Sequence, residues 1–260
     1  MQRVILAVLD RPQAARACLD AAWYAAGVLE DARIAALAIR TPPEAALFPS
    51  EEVLTNEHRA ELVRREEARL ATLRAVFTGW QSARGPGAEW IEDEGTIEDE
   101  VERHGRIADL IVTARAGTAL HAALYDTQRP ILVIPDKPGG SIGRSIAIAW
   151  HDDAPAGRAV LAAMPFLAAA ERIWLLLDAG QDVAPRLPPV LAEHRIAAVL
   201  RPVVVPSGDI GRALLAEAHA VGADLLVMGA FAHNELSEAV LGGVTRTMLD
   251  AADIPLLMQH

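Results

Sequence analysis

Short apolar runs alternate with amphipathic stretches along the whole chain. Residues 3–9 are almost wholly apolar, as in a strand buried on both faces, and Asp10 stands at the C-terminal end of that run. Pro12 then opens a helical pattern in which Ala14, Ala17, Cys18, Ala21 and Ala25 keep one face up to Gly27. Residues 34–39 supply the next strand. A charged amphipathic helix is predicted over 51–77, with Leu54, Leu62, Leu70 and Leu73 on one side. A strand at 89–91, a helix at 97–106 and strands at 110–113 and 131–134 complete this half. The Pro- and Gly-rich stretch 134–144 reads as a linker, and after it the pattern starts again. Strands are predicted at 145–150, 173–177, 199–205, 225–228 and 256–258, and helices at 156–169, 210–220 and 244–251. Strands alternating with helices imply an α/β fold with parallel sheets.

The restart is a true internal repeat. Residues 108–114 read ADLIVTA and residues 223–229 read ADLLVMG, which predicts two similar domains, 1–136 and 144–260. Their spacings differ. From Val4 to Asp109 is 105 positions, but from Ile146 to Asp224 is 78, so the second half lacks most of the long charged helix. From Asp109 to Pro130 is 21 positions, against 31 from Asp224 to Pro255. The first half is therefore shorter by about one loop.

That loop is the chemically suggestive stretch. The run 225–228 ends at Gly229, a polar segment follows, and the pair Gly242 and Gly243 leads into the last helix. A strand, a glycine loop and a helix N-terminus together offer unpaired backbone N–H groups and a positive dipole end to an anion.

With these residues the chain resembles a tandem member of the universal stress protein family over essentially its full length. The resemblance implies two tandem five-stranded open parallel-sheet domains, Rossmann-like and similar to the adenine nucleotide alpha hydrolase-like fold. It also implies a pseudo-dimer within one chain, with strands 131–134 and 256–258 close together. Nucleotide-binding members of the family carry Gly, two residues, Gly, nine residues, Gly, then Ser or Thr. Gly229 matches the first position, Ala232 stands in the second, Gly242 matches the third, and Gly243 replaces the hydroxyl residue. Alanine narrows the backbone freedom and close approach that glycine allows. Gly243 removes a hydroxyl donor but leaves the backbone N–H, and Thr245 offers a hydroxyl deeper in the helix.

The family also places an aspartate after its first strand, near adenine and ribose. Asp10 matches it in the first half, while His151, followed by Asp152 and Asp153, falls there in the second. An Asp pair after a strand also reads as a helix N-cap. The resemblance thus marks His151, Asp152, Gly229, Ala232, Gly242, Gly243, Val244 and Thr245 for an adenine nucleotide, ATP or AMP. The departures predict weak or lost ATP binding.

Composition narrows the function further. The formal charge is −11, and no basic stripe exists to displace counterions, which argues against nucleic-acid and acidic-membrane partners. Lys137 is the only lysine, so Walker-type and Schiff-base chemistry lack a candidate. The single cysteine, Cys18, excludes an internal disulfide and reads as a small buried hydrophobe. No signal peptide or run long enough to span a membrane is recognised, and the expected location is the cytoplasm.

Other patterns are weaker. Ser141 lies in a G-x-S-x-G match that leads into a strand instead of following one, the wrong context for a nucleophile elbow. The eight histidines show no metal-spaced pair or His–carboxylate cluster. The run ELVRREEARL reads as a solvated helix face, and His233, Asn234 and Glu235 as loop polarity. The expected function is a non-catalytic stress-response module, regulatory or scaffolding, acting through protein partners. The alternative is a nucleotide-binding switch using the second-half loop. Pairing of two chains through outer surfaces is compatible with either.

Overall fold

A computed structural model describes residues 2–46, 55–136, 140–178, 187–205, 208–230 and 243–260. Two compact units divide between Arg129 and Pro130.

The first unit contains a parallel sheet in the order β3-β2-β1-β4, built from β1 (Arg3–Val8), β2 (Ala32–Arg40), β3 (Ala88–Glu94) and β4 (Leu110–Ala114). Its connecting helices are α1 (Pro12–Val28), α2 (Asn56–Arg84), α3 (Ile97–Gly105) and α4 (Thr118–Asp126). Pro12 starts α1 as expected, and Cys18 is buried in it. Thr55 caps α2 by accepting from the His58 N–H, so this helix begins and ends later than the sequence pattern suggests. Its inner stripe continues through Leu70, Leu73, Phe77 and Trp80. The Trp80 indole donates to Asp20 of α1 at 2.9 Å and its ring meets Trp23 edge-on, which fastens α2 to α1. Helix α4 goes unrecognised in the sequence because its residues TALHAALYD show no polar face, and the structure buries most of them.

The second unit has the order β5-β10-β9-β6-β7-β8. Its strands are β5 (Ile131–Ile134), β6 (Ser145–Ala149), β7 (Arg172–Asp178), β8 (Val199–Val203), β9 (Leu225–Gly229) and β10 (Leu256–Gln259). Only β5 runs antiparallel, pairing with β10 through Val133↔Leu256, Leu132↔Leu257 and Ile131↔Met258. Helices α5 (Ala154–Ala169), the short α6 (Pro189–Glu193), α7 (Ile210–Ala220) and α8 (Gly243–Ala251) complete the unit.

The repeated aspartate has the same task in both units. In the first, the Asp109 carboxylate accepts from the Val4 N–H at 2.7 Å while its own N–H donates to the Val4 carbonyl. In the second, Asp224 accepts from the Ser145 and Arg144 N–H groups and donates to the Ser145 carbonyl. Each pins the start of a central strand to its neighbour. Ser141 belongs to this clamp, since its hydroxyl donates to Asp224 at 2.6 Å.

Candidate functional site

In an open parallel sheet, ligands bind beyond the C-terminal ends of the strands, where the chain leaves a central strand towards opposite faces. In the second unit that strand is β6, between β9 and β7. A cavity of about 400 Å³ lies there. Ala149, Trp150 and His151 enter it from the end of β6, Met228 and Gly229 from β9, and Leu176 from β7. Gly243, Val244 and Thr245 bring the N-terminus of α8 to the same cavity. Five of the eight residues marked in the sequence therefore meet in one place. Asp152 is exposed and absent from the lining, whereas Asp153 lines it. Ala232 and Gly242 lie outside the described residues, as do Lys137, His233, Asn234 and Glu235.

Asp153 is the N-cap of α5, accepting from the Ala156 N–H at 2.8 Å, and its other oxygen lies 3.0 Å from His151 Nδ1. The carboxylate already serves the positive end of α5. Gly229 fits against the same helix start. A Cβ there would lie 2.6 Å from the Ala156 nitrogen and 2.7 Å from the Pro155 carbonyl carbon, so only glycine lets the end of β9 touch α5. Gly243 differs, because a Cβ added to it meets nothing within 4 Å. Steric need explains the glycine at 229 and not the one at 243.

The Universal stress protein family profile matches residues 147–260, the segment that holds this cavity. This segment is similar to a universal stress protein domain. The whole chain also has the fold of a universal stress protein from Archaeoglobus fulgidus DSM 4304, at 15% identity and TM-score 0.66, covering 98% of this chain and 97% of that one. A functionally unknown protein from Pseudomonas aeruginosa PAO1 is similar at 13% identity and TM-score 0.62, over 99% and 92% of the two chains. Among curated proteins, none matches.

Outside the matched segment, the first unit has the same strand arrangement around β1 but fills its C-terminal edge with its own side chains. Arg69 of α2 donates to the carbonyls of Asp10 and Ile39, at 2.8 and 2.5 Å, and is held by Glu66. The run containing these residues thus departs from the solvated face expected of it. Glu66 and Arg69 lie on the inner stripe of α2 with Leu62, Leu70 and Leu73, and only their neighbours face water. Asp10 faces the start of α4, where Gly117 takes φ +119° and a Cβ would come within 2.6 Å of the Asp10 carboxylate.

Burial pushes the Asp10 carboxyl above its ordinary value of 3.8, against the opposing effects of backbone hydrogen bonds and the charges of Arg11 and Arg69. Its Oδ1 atom has no hydrogen-bond partner among the described residues. A raised folded-state pKa means that Asp10 contributes stability at low pH, which is lost as pH rises from 3.8 through the folded value. Asp10→Asn is therefore expected to raise the melting temperature at pH 7 by a few degrees. The gain should vanish by about pH 3, below the ordinary carboxylate range, in thermal melts across pH.

One further cluster escaped the spacing analysis. Asp93 of β3 and Glu100 and His104 of α3 bring ligand-type atoms within 4.8 Å of one another. Glu100 and His104 stand four apart, but Asp93 comes from the neighbouring strand, a meeting that helical spacing alone does not show. Arg103 supplies the positive charge between Asp93 and Glu100, and His104 Nε2 lies 2.7 Å from Asp93. The hydrogen bond from His104, together with Arg103, holds the Asp93 carboxyl below its usual range despite some desolvation. The cluster is an ion-pair network already satisfied by its own arginine.

Proposed function

We propose that the chain is a cytoplasmic, tandem universal stress protein that acts as a non-catalytic regulatory or scaffold module, with ATP recognition weak or lost. The supporting observation is Gly243. It sits at the first turn of α8 beside the cavity, with room for a side chain and none present, so the hydroxyl that the family pattern directs to phosphate is missing. The lining among the described residues includes no lysine or arginine to replace that donor. No described helix is long and apolar enough to cross a membrane. The formal charge of −11 supports action through protein partners over nucleic acid.

Calorimetric titration with Mg-ATP and with AMP tests this reading, after absorbance and mass spectrometry have excluded co-purified nucleotide. The expected result is no binding below millimolar ligand for the natural chain. The double variant Ala232→Gly, Gly243→Ser should then bind roughly 10–100-fold more tightly, the worth of one charge-assisted hydrogen bond. Micromolar binding by the natural chain, abolished by Gly242→Leu, would overturn the proposal in favour of a nucleotide-binding switch.

A further inference from the structure

We propose that the cavity of the second unit is a binding site for an uncharged, largely apolar small molecule, with a flat or compact hydrocarbon body and one hydrogen-bond acceptor. The inference rests on the reading that phosphate recognition has faded, and it names what the site recognises instead.

Three observations carry it. The first is the chemistry of the walls. Leu176 and Met228 come from the sheet, Val203 from β8, Ile210 and Leu214 from the first turns of α7, and Val244 from α8. Water against such a surface is readily displaced by hydrocarbon. The second is charge. Among the described lining residues the single charged side chain, histidine aside, is Asp153, whose carboxylate would repel a phosphate, and no described cation opposes it. Because Asp153 already accepts from the first turn of α5, that helix start is spent as an anion site. The third is the polar remainder. The start of α8, with its backbone N–H groups, and Thr245, a residue 4% exposed, also line the cavity. They suit one neutral acceptor, a carbonyl or ring nitrogen, better than a multiply charged chain.

The volume is consistent with such a ligand. About 400 Å³ lies in the range of pockets that enclose drug-sized molecules. Ile210, which lines the cavity, is 44% exposed, a large apolar side chain not withdrawn into the core.

A pair of fluorescent probes tests the proposal on the full chain. N-phenyl-1-naphthylamine is uncharged, and 8-anilinonaphthalene-1-sulfonate has the same ring frame with a sulfonate added. The expected result is saturable one-site binding of the amine, with the sulfonate weaker by about tenfold or more through like-charge repulsion and a stranded anion. Ile210→Trp, which adds bulk to a partly exposed lining position, should abolish binding while circular dichroism and melting temperature stay those of the natural chain. Leu214→Phe gives the same test from inside the wall, should either variant fold poorly. Mg-ATP at millimolar concentration should not displace the amine.

Absence of saturable amine binding overturns the inference, as does binding that survives both cavity substitutions, or a sulfonate that binds as well as the amine. These failures differ from failure of the functional reading. With the amine and ATP both silent, the ligand inference falls and the scaffold reading stands. Displacement of the amine by micromolar ATP overturns both, since it would show that the cavity accepts phosphate.

Discussion

Gly229→Ala is expected to destabilise the second unit strongly, while Gly243→Ala leaves it almost unchanged. Both glycines line one cavity, but their surroundings differ. An alanine Cβ at 229 meets the nitrogen of Ala156 and the carbonyl carbon of Pro155 at 2.6 and 2.7 Å, and Pro155 Cβ at 2.9 Å. These are mostly backbone atoms, and no rotamer change relieves them. The first turn of α5 must move away from β9, and α5 also packs on β10. Overpacking of this kind costs about 2–3 kcal/mol, a fall in melting temperature of roughly 5–10 °C. At 243 the added methyl enters open space in a helical residue, and the change should stay within about 0.5 kcal/mol. Parallel thermal melts of the two variants decide the matter; equal melting temperatures would refute the packing account.

Arg69→Met is the second large effect expected, and it falls on the first unit. The Arg69 side chain is 23% exposed and that of Glu66 18%, so neither charge is fully hydrated. Burial alone would raise the Glu66 carboxyl. Hydrogen bonds from Arg69 and the Thr41 N–H, with the charges of Arg69 and Arg40, outweigh it and hold the group below its ordinary value of 4.5. Removing Arg69 leaves that carboxylate partly buried without its main partner, and takes a donor from each of the Asp10 and Ile39 carbonyls. The expected loss is about 2–4 kcal/mol at pH 7.

Because the folded pKa of Glu66 lies below the unfolded one, its contribution is present above the ordinary value and lost as pH falls through the folded value. The gap between natural chain and variant should therefore narrow in acid. Adding Glu66→Met to Arg69→Met should recover part of the loss, since an uncompensated charge costs more than an absent pair. Urea denaturation at several pH values measures both effects. A loss that neither narrows in acid nor responds to the second substitution would mean that Arg69 acts by packing alone.

The residues of the cavity were legible to unequal degrees. Gly229, Gly243, Val244 and Thr245 were readable because a strand, a loop and a helix start are local events, marked by glycine and by a change in hydrophobic period. His151 followed from its place after the first strand of the repeat. Leu176, Val203, Ile210 and Leu214 fall in three separate predicted elements. That they face one space depends on β7, β8 and α7 coming together beside β6, which no local pattern records.

By itself the sequence determined the alternation of strands and helices, the repeat, and the aspartates that open β4 and β9. These signals are short-range: a doubly buried strand must be apolar, and a clamp on a strand start needs a carboxylate one residue before its neighbour. The tertiary structure alone decided which side chains occupy the strand ends. Arg69 and Glu66 look like any exposed helical pair until α2 is packed against α1 and β2, where Arg69 reaches the carbonyls of Asp10 and Ile39 and the pair fills the edge of the first unit. In the second unit, where among the described residues only the short α6 lies between β7 and β8, apolar side chains from distant elements line a cavity. Charge, burial and contact at a strand end depend on what packs over it, and that is set by residues far away in the chain.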